Sequence, residues 1–119
     1  MGKTLDVVRV AFERANANDP DGLAALCDES VEFSDVPEIP GSTTYRGRDG
    51  IRGWLGNVHD VSDDLELQIL DTEEHGDTVL VETGASMQGR ASGAEVDWRF
   101  WTVWRVKDGL ITYHHGYSR

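Results

Sequence analysis

The amino-acid sequence predicts an α+β fold, with helices from the N-terminal half laid over a curved antiparallel sheet around a pocket. Three observations carry this. Helical periodicity is confined to the first half of the chain. Strand alternation fills the second half almost without interruption. At 119 residues and 39% hydrophobic composition, the chain has material for one core and not for two. Strands grouped after helices, rather than alternating with them, give α+β in place of a parallel sheet. A single domain over residues 1–119 is expected.

Within residues 4–17, Val8, Ala11, Phe12 and Ala15 recur at the spacing of one helix face. Asn16-Ala17-Asn18-Asp19-Pro20 ends that helix, because proline lacks a donor and disfavours helical geometry in the residue before it. Asp19 can then cap a second, short helix with Pro20 at its first position, running through Leu23, Leu26 and Cys27. Val31-Glu32-Phe33 alternates as a first strand, followed at once by Asp35. Val36 to Ser42 holds two prolines and a glycine and reads as a loop. A third helix from about Arg48 to His59 places Ile51, Trp54, Leu55 and Val58 on one stripe. Its Gly50, Gly53 and Gly56 either allow close approach of another element or are tolerated defects, each costing up to about 1 kcal/mol against alanine.

Leu65, Leu67 and Ile69 alternate as a strand, and Thr78 to Met87 is a second one in which Gly84 marks a candidate bulge. A turn is expected at Gly89–Gly93, a long strand from Glu95 to Val106, a tight turn at Lys107-Asp108-Gly109, and a last strand from Leu110 to Tyr117.

Charge and composition exclude several classes. A net charge of −11 argues against nucleic acid and anionic membranes as partners. No apolar run approaches the roughly 20 residues of a membrane-spanning helix. The amphipathic, charged N-terminus does not read as a secretory signal, so the expected location is the cytoplasm. One cysteine, Cys27, permits no intramolecular disulfide and reads as a small buried hydrophobe. His59 and His75 lack metal-ligand spacing to any partner, and no metal is expected. With no Gly-rich phosphate loop, nucleotide motif or cofactor lysine, no cofactor is expected either.

Four phrases, in this order and spacing, resemble the SnoaL-like branch of the nuclear transport factor two-like (ketosteroid isomerase-like) superfamily. They are Ala15-Asn16-Ala17-Asn18-Asp19-Pro20-Asp21-Gly22-Leu23, Asp28-Glu29-Ser30-Val31-Glu32-Phe33, Tyr45-Arg46-Gly47-Arg48-Asp49-Gly50-Ile51 and Val103-Trp104-Arg105-Val106-Lys107-Asp108-Gly109-Leu110-Ile111. Together they cover almost the whole chain. The resemblance implies a cone, or cystatin-like roll, with three helices in the concave face of a bent, mixed or antiparallel sheet. It implies an apolar cavity between helices and sheet, and a convex face buried by a second subunit. It does not choose among isomerase, polyketide cyclase, epoxide hydrolase, dehydratase and non-catalytic members.

The candidate catalytic residues are Asp35, Asp97 and His114. By resemblance, Asp35 occupies the place of the isomerases' proton-shuttling base. A carboxylate of moderately raised pKa in an apolar cavity can abstract a proton beside a carbonyl. The competing reading is an acceptor of backbone hydrogen bonds in an Asx-type turn. Asp97 resembles the isomerase acid that donates to a developing oxyanion. Period two puts Glu95, Asp97, Arg99, Trp101 and Val103 on one face of the strand, and Val96, Trp98, Phe100, Thr102 and Trp104 on the other. Amphipathicity alone makes the second face the core and leaves Asp97 in solvent, whereas the resemblance turns the first face toward the cavity. On the latter reading Trp98, Phe100 and Trp104 form an outer apolar stripe and a homodimer interface.

Adjacent His114 and His115 point to opposite faces, and comparison with the family's last strand favours His114 in the cavity, as an acid/base partner or a structural histidine. Arg99, Trp54, Trp101 and Phe12 are the expected substrate contacts, with an ordinary salt bridge to Asp97 as the competing role of Arg99. Ala11 stands where the isomerases carry their oxyanion-binding tyrosine, which puts steroid isomerisation in doubt. The expected activity is cofactor-independent acid/base chemistry, of isomerase, cyclase or dehydratase type, on a small apolar carbonyl or polycyclic compound. The alternative is a non-catalytic binding or association module.

Overall fold

A computed structural model describes residues 3–35, 43–61, 64–88 and 95–117. The expected loop at 36–42 and the expected turn at 89–93 lie outside the described residues. Helix α1 spans Lys3–Asn16 and α2 spans Pro20–Ala25; strands β1, Cys27–Ser34, and β2, Thr44–Arg46, precede α3, Gly47–Val61. Strands β3 (Glu66–His75), β4 (Thr78–Gln88), β5 (Glu95–Lys107) and β6 (Leu110–Tyr117) follow.

Each helix forms for the local reason its sequence gives. In α1 the buried residues are Val8, Ala11, Phe12 and Ala15. Asp19 caps α2, its Oδ1 accepting from the Gly22 backbone N–H at 3.0 Å, with Pro20 at the first helical position. Of the three spaced glycines in α3, only Gly50 makes a close approach: a Cβ there would stand 3.2 Å from the Tyr45 backbone, whereas Gly53 and Gly56 face open space. Tethering of α1 to the sheet falls to Asn16. Its side-chain amide donates to the Leu67 carbonyl at 2.9 Å and accepts from the Leu67 N–H at 2.7 Å, as a neighbouring strand would.

The six strands form one sheet in the order β2-β1-β6-β5-β4-β3. The β3-β4-β5-β6 meander is antiparallel, and β6 pairs in parallel with β1, making the sheet mixed. The β5–β6 turn places Asp108 at φ 54° and Gly109 at φ 80°, the left-handed pair that an Asp-Gly hairpin turn requires. Strand β2 has no counterpart in the sequence reading, since three residues are too few to show alternation. It exists by pairing with β1, where Ser34 and Thr44 hydroxyls meet at 2.8 Å and Arg46 bonds Glu32 at 2.9 Å.

The bulge expected at Gly84 lies on the neighbouring strand. The β3–β4 register shifts between Ile69 and Asp71, and the extra residue, Leu70, lays its side chain over Gly84, where a Cβ would stand 3.3 Å from a Leu70 methyl.

Both faces of the sheet are defined by burial. The helix-facing side carries Val79, Val81, Thr83 and Ala85 of β4, Thr102 and Trp104 of β5, and His114 of β6, all buried. Phe33 of β1 joins them at 1% exposure. The opposite side carries Glu82, Trp101, Val103, Tyr113, His115 and Tyr117, half-buried or exposed.

Candidate active site

At the centre of the helix-facing side is a run of touching rings. Phe33 stacks on His114 with centroids 3.9 Å apart and planes 14° from parallel. These two are paired residues on the parallel strands β1 and β6, which sets one ring directly beside the other. Trp54 of α3 lies 4.6 Å from Phe33, and Trp104 of β5 lies 4.4 Å from His114 and 5.7 Å from Phe12 of α1. These rings, with Ala11, Ala15, Leu23, Leu67, Thr83, Phe100 and Thr102, enclose a cavity of about 40 Å³.

Asp35 follows β1 on the side to which Phe33 points. Its Oδ2 accepts a 2.8 Å hydrogen bond from the Trp54 indole N–H. Burial lifts the Asp35 carboxyl from 3.8 to about 6, against the downward pull of that hydrogen bond. A carboxyl poised there exists in both protonation states near neutral pH, as a group that both gives and takes a proton must. The Asx-turn alternative for Asp35 involves backbone after residue 35, which lies outside the described residues.

His114 is 5% exposed. Burial first, and the neighbouring His115 second, lower its pKa from 6.5 to about 3, against the upward pull of the Ser34 backbone. The ring is therefore neutral at any ordinary pH. Its Nδ1 is buried and has no hydrogen-bond partner among the described residues. Further polar groups line the cavity at Thr83 and Thr102, whose hydroxyls meet at 3.1 Å, with the Trp104 N–H donating to Thr102 at 2.8 Å.

The remaining expected site residues lie elsewhere. Asp97 and Arg99 are exposed on the outer face, where with Gln68, Leu70, Gly84 and Ser86 they border an open groove of about 450 Å³. Trp101 faces outward with them, pairing with Tyr117. Conversely, Phe100 and Trp104 line the cavity and Trp98 lies on their side of β5, 6.2 Å from Phe100, so the expected outer stripe is an inner one. The physical reason is amphipathicity: β5 buries its more apolar alternate residues against the helices, whatever register the resemblance assigns to the acid. Of the proposed residues, Trp54, Phe12 and His114 line the cavity and Asp35 adjoins it through Trp54. Ala11 also lines it and brings no hydroxyl. Thr83 and Thr102 were not singled out in the sequence. Their signal was a polar residue on the core face of each of two paired strands.

Cys27 is buried, its thiol pushed up to about 12 by desolvation and donating to the Leu23 carbonyl at 3.5 Å. It has no nucleophilic character. Among the described residues no group of three or more His, Cys, Asp or Glu could hold a metal ion, and no helix is long and apolar enough to cross a membrane.

Residues 8–114 match the SnoaL-like domain family, and the chain belongs to it. Solved structures agree on the fold. A hypothetical protein with a ketosteroid isomerase-like fold from Catenulispora acidiphila DSM 44928, in complex with trimethylamine, superposes with a TM-score of 0.84 at 19% identity, over 93% of this chain and 83% of that one. TerC co-crystallised with polyporic acid gives 0.84 at 20% identity, over 96% and 89%. An LEH-like epoxide hydrolase from M. tuberculosis gives 0.80 at 19% identity, over 98% and 83%. No curated protein matches the chain.

Proposed function

We propose that the protein is a cofactor-independent acid/base enzyme acting on a compact, largely apolar molecule in the cone cavity, with Asp35 as the proton shuttle. The carrying observation is the Asp35 carboxyl, half-buried beside the cavity with Trp54 as its donor and its pKa lifted to about 6. With Asp97 on the outer face, one carboxylate serves in both directions, taking a proton from carbon and returning it. This suits isomerisation by proton transfer, or dehydration, better than a two-acid scheme. A volume of about 40 Å³ between close-packed rings favours a small substrate over a polycyclic one. Trimethylamine in a structural relative is a compact molecule; polyporic acid in another is larger, and a ligand of its size needs the rings to move apart.

Butanone in D2O is a suitable probe. Solvent deuterium should enter its α-carbon faster with the protein than without, and Asp35→Asn should return the rate to that of buffer. An exchange rate equal to buffer for the unaltered protein, together with an Asp35 carboxyl titrating near 4 by NMR, overturns the reading. It would leave a non-catalytic binding module, which the apolar Ala11 already favours.

For the outer face we propose a second copy of this chain as the occupant. Trp101, Val103, Tyr113 and Tyr117 line the side of the sheet that none of the described helices covers, and one such surface on each copy makes a self-complementary pair. Arg105 lies over the Tyr113 ring at 5.0 Å, capping the patch with charge. Trp101→Glu should lower the sedimentation coefficient to that of a monomer, and an unaltered protein already sedimenting as a monomer refutes the interface.

A further inference from the structure

The cavity contains one polar atom that no element of the function above uses. His114 Nδ1 is buried in a side chain only 5% exposed, in a ring that lines the cavity, and it has no partner among the described residues. A buried polar atom left without a partner forfeits the hydrogen bond it made to water, so such an atom points to a group that completes it.

The kind of partner follows from proton counting. A neutral imidazole carries one N–H and one bare acceptor nitrogen. The Ser34 backbone acts on the ring in the sense that favours its protonated form, which is donation to a carbonyl, and because Nδ1 has no partner that donation is assigned to Nε2. That bond uses the single N–H and leaves Nδ1 as an acceptor. The stack on Phe33 and the edge contact with Trp104 hold the ring in this orientation. An acceptor at this place does not stabilise an oxyanion or bind a ketone oxygen. It takes a hydrogen bond from a ligand's O–H or N–H. The other cavity polar atoms do not compete for it, since Thr102 already accepts from Trp104 and meets Thr83.

We propose that His114 Nδ1 is the specificity-determining acceptor for a hydroxyl on a small neutral ligand, an alcohol or the enol form of a carbonyl compound. This rests on the cavity being the ligand site and names the substrate class for it. Beside a proton-shuttling Asp35, such a ligand is a hydroxy compound that loses water, or an enol that receives a proton on carbon. In the second case Asp35 in its acid form supplies the proton to carbon while the enol O–H is held by Nδ1, and the O–H proton leaves to solvent to give the carbonyl.

Three probes of nearly one shape separate the possibilities: 2-butanol, butanone and 2-methylbutane, which differ by a hydroxyl, a carbonyl or a methyl group at one carbon. The protein labelled with ¹⁵N-histidine is titrated with each. For 2-butanol the His114 Nδ1 resonance should move from its free-acceptor position, and binding should be about tenfold tighter than for butanone, the worth of one buried hydrogen bond. His114→Phe, which keeps an aromatic ring on Phe33, should still bind 2-methylbutane and lose the preference for the alcohol. Equal or tighter binding of butanone, an Nδ1 that carries the proton, or an alcohol preference that survives in His114→Phe overturns the proposal. Asp35-independent deuterium exchange would sink the catalytic reading alone, because the alcohol preference and the nitrogen shift do not depend on turnover.

Discussion

The two faces of the sheet are built from the same strands and behave as different materials. Toward the helices, Phe33, Trp104, Val81 and Thr102 are buried, close-packed and hydrogen-bonded where polar. Away from them, Tyr113, His115 and Tyr117 also form a ring cluster, with His115 and Tyr117 4.4 Å apart, yet Tyr117 keeps 46% of its surface in solvent. Aromatic content therefore does not tell the two faces apart. What separates them is whether a helix lies on top, and with it the cost of any polar atom left unpaired. The same contrast applies to the two adjacent histidines: His114 is neutral and enclosed, while His115 stands on the open side.

The largest expected effect that tests this contrast is on stability. Phe33→Ala removes the ring between His114 and Trp54 and should cost about 3–5 kcal/mol in denaturant unfolding. Tyr117→Ala on the outer face should stay within about 0.5 kcal/mol when measured on the monomer. Similar losses at both positions would erase the distinction between core and open face.

A finer test uses the two desolvated titrating groups, half-buried Asp35 and buried His114, whose shifts have opposite signs. Asp35 in the folded protein keeps its proton to about 6, whereas unfolded it releases it near 3.8. Its ionisation therefore opposes folding, and stability falls as pH rises from about 4 to 6, by about 3 kcal/mol at most. His114 acts the other way. Folded it resists protonation to about 3, unfolded it accepts a proton near 6.5, so stability is lost as pH falls through that range. Asp35→Asn should raise stability above pH 6 relative to the unaltered protein and leave it nearly unchanged at pH 3.5. His114→Phe should flatten the acid-side loss, so that its stability relative to the unaltered protein grows steadily from pH 6.5 downward. Parallel pH profiles for all three proteins would mean that neither group is buried as described.

Much of this was legible in the linear pattern. The stripe Val8, Ala11, Phe12, Ala15, the Asp19-Pro20 start, the Lys107-Asp108-Gly109 turn and the alternation of β5 are local signals, and each element began where its signal lay, although α2 stops at Ala25 and Cys27, expected within it, opens β1. The inward direction of His114 was also correct. The placement of Asp97, Arg99 and Trp101 in the cavity, and of Trp98, Phe100 and Trp104 outside it, was not. There a family position was preferred over the strand's own amphipathicity, and a one-residue difference in register exchanges every side chain between faces. The Asp35–Trp54 bond spans 19 residues and the Phe33–His114 stack spans two strands joined only through the sheet, so no spacing rule could announce either.

For the opening α+β reading, then, the amino-acid order was enough to set the helices, the meander and the side of each strand that seeks burial, because these depend on residues three, four or two apart. Which buried side belongs to the cavity, which acid stands beside it, and which histidine nitrogen is left without a partner depend on strands meeting in parallel across the sheet. Those are long-range contacts, and they exist only once β1 and β6 have come together.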